Sequence, residues 1–111
     1  MRQKTTTEAP FEMAPLYPKH TGLPITVWVS PRGRARHAAQ IKVCRRPGER
    51  MDPTDLVSVS IRPSARAIDG ELRQGVMQAV AAWIAANEAV LIDYWDGAID
   101  TVELVSRLRR A

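Results

Sequence analysis

Between residues 24 and 50 the chain carries seven basic side chains, Arg32, Arg34, Arg36, Lys42, Arg45, Arg46 and Arg50, against one acid, Glu49. A guanidinium group is a planar, permanently charged fork that pairs with phosphate or carboxylate through two parallel hydrogen bonds. Trp28 lies just ahead of them and offers an aromatic surface that stacks on a base or fills a partner's pocket. These eight residues are the candidate binding set. The whole chain of 111 residues has a formal net charge of +4. After residue 50 acids outnumber bases, so the excess charge sits in the middle of the sequence. A basic centre of this kind attracts a polyanion or an acidic protein. The competing reading is a solvated charged face with no partner.

Other chemistry is poorly supplied. His20, His37 and Cys44 are the only strong soft-metal ligands, one short of a tetrahedral zinc site, so neither metal nor cofactor is expected. A single cysteine excludes an internal disulfide. Gly33 and Gly48 are isolated turn glycines rather than parts of a phosphate-cradling loop. No Gly-x-Ser-x-Gly nucleophile elbow is present. Asp93, Asp96, Asp100 and Glu103 cluster in sequence, yet Asp100 and Glu103 have the spacing of a helix start and Asp96 sits at a turn. An RNA-recognition fold needs more aromatics on one sheet face and a βαββαβ order, and neither appears. The expectation is a protein without catalytic activity.

The elements that must position the basic set follow from periodicity. Residues 1–18, with Pro10, Pro15, Pro18 and three consecutive threonines, read as a flexible N-terminal segment; residues 19–111 read as one α+β domain. Ile25, Val27 and Val29 alternate with polar residues and Trp28; Ala39, Ile41 and Val43 alternate with Gln40, Lys42 and Cys44; Val57, Val59 and Ile61 alternate with Ser58, Ser60 and Arg62. The turns between them hold Pro31-Arg32-Gly33-Arg34 and Arg46-Pro47-Gly48-Glu49-Arg50. This predicts a three-stranded antiparallel meander. The period then lengthens. Val76, Val80, Trp83, Ile84, Leu91, Tyr94 and Trp95 recur at helical spacing, predicting a long helix over about 71–95. Asn87 lies on the apolar stripe of one continuous helix but is also a good N-cap for a new helix at Glu88; one long helix, with room for a bend there, is the expected form. Asp100-Thr101-Val102-Glu103 opens a short final helix lined by Leu104, Val105 and Leu108. The sheet's apolar face needs a cover, and the long helix provides it, burying Trp83 and Trp95; Trp28 goes to the opposite, mostly polar face. No stretch of about 18 apolar residues predicts a membrane span, and the first residues lack the apolar core of a signal peptide, so a cytoplasmic location is expected.

The stretches Leu56-Val57-Ser58-Val59-Ser60-Ile61, Ala67-Ile68-Asp69-Gly70-Glu71-Leu72, Ala82-Trp83-Ile84 and Leu91-Ile92-Asp93-Tyr94-Trp95 resemble a small bacterial family of unknown function, the domain numbered four-one-six-zero. The resemblance covers mainly residues 56–96. It implies a β-meander followed by a helix, and a setting on mobile elements beside toxin–antitoxin-like genes. That family carries a His-x-His pair on its second strand; here the region reads Arg36-His37-Ala38-Ala39, with one histidine, which removes any role the pair would have.

Together these readings predict a non-catalytic, macromolecule-binding accessory or regulatory protein of a phage or mobile element. It would dock on a partner protein or nucleoprotein complex, as a toxin–antitoxin component or an inhibitor of a bacterial defence complex, and a homodimer is compatible with this. The alternative is direct nucleic-acid binding through the basic hairpin. A small nuclease using His37 ranks third, for want of an acid–base pair.

Overall fold

The computed structural model describes residues 13–32, 38–47 and 55–111. Four strands form one antiparallel sheet in sequential order: β1 (Ala14–Leu16), β2 (Ile25–Val29), β3 (Gln40–Pro47) and β4 (Leu56–Ser60). A four-residue turn of helix, α1 (Pro18–Thr21), links β1 to β2, and two further helices follow the sheet, α2 (Gln74–Trp95) and α3 (Thr101–Arg107). The α+β class stands, but the meander has four strands rather than three. The extra strand, residues 14–16, falls inside the segment read as a flexible lead-in. Three residues centred on Pro15 are too few to display a period of two. Proline is tolerated there because β1 is an edge strand, where a missing N–H costs no ladder hydrogen bond. Leu16, 1 % exposed, anchors it in the core.

Register fixes the two faces. Leu16 pairs with Val27, Val27 with Val43, and Val43 with Val57, so one apolar row crosses all four strands. Pro15, Trp28, Lys42 and Ser58 form the matching row on the opposite face. Near the far end of β2 the ladder slips: Ile25 faces Pro47 while Val27 faces Val43. Cys44, Arg45 and Arg46 therefore oppose Thr26 alone, a bulge that twists the end of β3.

α2 covers the apolar face. Val80, Trp83, Ile84, Asn87, Val90, Leu91, Tyr94 and Trp95 are its buried residues, the 3–4 spacing of one helical stripe. The helix is continuous through Asn87, which does not start a new one. By length and composition alone α2 is apolar enough to cross a membrane, yet its stripe is the helical half of the core. Gly97, at φ 79°, ends the helix in the left-handed conformation that glycine adopts without Cβ strain. Asp100 then caps α3, its carboxylate accepting from the Glu103 N–H at 2.8 Å. Leu104 points inward, whereas Val102 and Val105 remain exposed.

Beyond β4 the chain doubles back along that strand's outer edge. Ala67 bridges Val59, the Ser60 N–H donates to the Arg66 carbonyl at 2.9 Å, and the Ile68 N–H to the Ser58 carbonyl at 2.8 Å. This blunts the open edge of the sheet.

Candidate functional site

The polar face of the sheet brings a lysine, a serine and an aspartate together. Lys42 and Ser58 are direct cross-strand partners, and the Lys42 ammonium donates to Ser58 Oγ at 2.5 Å. Ser58 Oγ in turn donates to Asp69 Oδ2 at 2.9 Å, while the Ser58 backbone N–H donates to Asp69 Oδ1 at 2.7 Å. Asp69 therefore closes both carboxylate oxygens on one residue of β4. These bonds, the backbone N–H first, hold its carboxyl below the usual aspartate range, aided by the Lys42 charge. The parity of β3 and β4 in the sequence places Lys42 beside Ser58; Asp69 arrives only through the returning segment, which no periodicity announces.

An amine, a hydroxyl and a carboxylate in line have the composition of an activated nucleophile. The geometry directs them otherwise. Ser58 is 2 % exposed, and its hydroxyl accepts a hydrogen bond from the Lys42 ammonium and donates one to a carboxylate whose proton affinity is already lowered. The relay ties β3, β4 and the returning segment together.

Trp28 lies beside Lys42 in the same row, on the face expected for it, but is 9 % exposed rather than displayed. Thr26 and Cys44 are buried on this face as well. Alternation of residue types identifies the face of a side chain and does not report what covers that face. Among the described residues, Trp28 Nε1 is buried without a hydrogen-bond partner, as is Trp83 Nε1 on the core side.

The basic residues divide. Arg45 Nε reaches Asp55 Oδ1 at 2.7 Å and Arg46 Nε reaches Asp55 Oδ2 at 3.3 Å, so one carboxylate from the start of β4 serves two arginines. The Arg45 hydrogen bond leads the causes that lower the Asp55 carboxyl. Asp55 lies just beyond the sequence window in which Glu49 is the sole acid, which is why reading along the chain left these arginines unpaired. Arg32 is different. It is exposed and, among the described residues, in no ion pair, while its backbone N–H donates to the Trp95 carbonyl at 2.6 Å. That bond satisfies a carbonyl at the end of α2 and fixes the stem of the loop after β2. Arg34, Arg36, His37 and Arg50 lie outside the described residues. Topology separates what sequence had crowded: Arg32 leads into the Gln40 end of β3, and Arg45 and Arg46 stand toward its Pro47 end.

Of the remaining ligand candidates, His20 Nδ1 accepts from the Tyr17 N–H at 3.3 Å and Cys44 is fully buried. Among the described residues no three His, Cys, Asp or Glu side chains converge. Asp93 and Glu103 share Arg107, at 3.5 and 3.3 Å, joining α2 to α3. No known protein family, curated protein or solved structure matches the chain.

Proposed function

We propose that this is a non-catalytic docking protein, an accessory or regulatory component that acts in the cytoplasm by binding a partner protein or nucleoprotein complex. The observation that supports it is the mounting of Arg32: an exposed guanidinium, in no ion pair among the described residues, on a stem bonded to the end of the main helix. Such a stem presents charge to a partner without neutralising it and with little ordering cost on binding. A role on a mobile element, as a toxin–antitoxin component or inhibitor of a defence complex, rests on the family resemblance alone. Direct nucleic-acid binding is the second reading, favoured by the same arginine and by Arg34 and Arg36, which follow it in the sequence.

A salt titration separates the two. Wild type and the Arg32/Arg34/Arg36→Ala triple variant are titrated against duplex DNA and single-stranded RNA. A nucleic-acid ligand gives a steep loss of affinity with salt, and the triple variant lowers the log–log slope by roughly two to three units. A protein partner, recovered equally from nuclease-treated and untreated lysates, shows mainly slowed association in the variant. Equal behaviour of both proteins toward every partner would overturn the role given to the hairpin.

A further inference from the structure

Residues 108–111 leave α3 in extended conformation and run across the molecule to α1. Leu108 has φ −66° and ψ 140°, and its side chain packs on the core. Next, both backbone groups of Arg109 are taken by one side chain: the Arg109 N–H donates to Asn87 Oδ1 at 2.7 Å, and Asn87 Nδ2 donates to the Arg109 carbonyl at 3.0 Å. Asn87 is 3 % exposed on the apolar stripe of α2, an unfavourable place for a carboxamide that lacks partners. Its other contact, to the Trp83 carbonyl at 2.9 Å, lies within its own helix. The tail is therefore what satisfies Oδ1. Two residues on, the Ala111 N–H donates to the Thr21 carbonyl at 2.6 Å. The chain passes so close to Gly22, at φ 79°, that a Cβ there would stand 2.9 Å from the Ala111 oxygen.

We infer that residues 108–111 are a strap that locks the N-terminal arm, β1 with α1, onto the domain, so that arm and tail open together as one unit. The arm's own attachment is three residue pairs to β2 on an edge strand, the buried Leu16 and Thr21 side chains, and Ala14 against the core. The tail grips it from the other side at Thr21 and is itself held by Asn87. Loss of either end removes a hold on the other. Local opening in such units, at free energies below that of global unfolding, is the behaviour of weakly attached peripheral elements.

The test is amide hydrogen exchange, followed residue by residue, on the full-length chain, on a variant lacking residues 109–111 and on Asn87→Ala. The deletion removes only exposed residues and leaves the core composition intact, so it carries the test even where Asn87→Ala fails to fold. The strap requires exchange across 14–22 to accelerate about tenfold or more in the deletion, with 40–46 and 56–60 unchanged. Gly22→Ala, acting from the other end, must speed exchange at Arg109 and Ala111. Unchanged protection at 14–22 overturns the inference. Equal acceleration throughout the sheet overturns it too, because the arm would then have no opening separate from global unfolding.

Discussion

Trp83 is sealed at 1 % exposure between α2 and the sheet, and its neighbours in the stripe cannot close over the volume it fills. Trp83→Ala should cost about 3–5 kcal/mol in chemical denaturation, the range for removing a large buried aromatic. A change below about 1 kcal/mol would show the stripe facing elsewhere. Asp69 gives a prediction of the opposite kind, one that appears only with pH. Its folded carboxyl titrates below the usual aspartate range because Ser58 donates to it twice, through the backbone N–H first and then the hydroxyl. A lowered folded value means stability that is present above the unfolded value and is lost as pH falls through the folded one. Wild type should therefore exceed Asp69→Asn in urea midpoint at pH 6, and the gap should shrink from about pH 4 downward. A gap independent of pH would mean that the carboxylate's charge is irrelevant to the returning segment. At this scale the sequence was a partial guide. It put Trp28, Lys42 and Ser58 on one face by parity, yet concealed Asp69 and Asp55, whose contacts depend on how two turns fold back.

Among the elements, those with a sustained period were the legible ones. The alternation in β2, β3 and β4 and the stripe of α2 repeat often enough that burial of one face is the single consistent solution. β1 carries no such repetition, and its strand character comes from pairing with β2 rather than from its own residues. The start of α2 was read at about 71 and falls at Gln74, where Arg73 provides no side-chain cap to mark it. Asn87 was ambiguous because local rules know it as a cap, while its role depends on a tail 22 residues away. α3 was predicted by its cap and is found with it. Asp100→Ala should destabilise by about 0.5–2 kcal/mol, with loss of helical signal confined to 101–107 when followed by NMR. Loss spreading into α2 would instead mean that the Arg107 contacts to Asp93 and Glu103 matter more than the cap.

On the scale of the whole molecule, the feature with the widest reach is the separation of the basic groups by the length of β3. At about 3.3 Å per residue, the stretch of β3 from Gln40 to the Arg45–Arg46 pair spans roughly 17–20 Å. The two ends also differ in strength, since Asp55 cancels one of the two charges at its end while Arg32 keeps its own. β3 thus acts as a ruler. A mononucleotide or a single carboxylate can satisfy one end only. A duplex lying along β3 and touching both ends extends over about five to six base pairs at 3.4 Å each. Affinity measured against a ladder of duplex lengths should then rise stepwise near that length, and the step should vanish in Arg45/Arg46→Ala while affinity for shorter duplexes is retained. A smooth rise with length in both proteins would mean that one end works alone. If the proposed partner engages both basic ends, the length of β3 sets a minimum size for it.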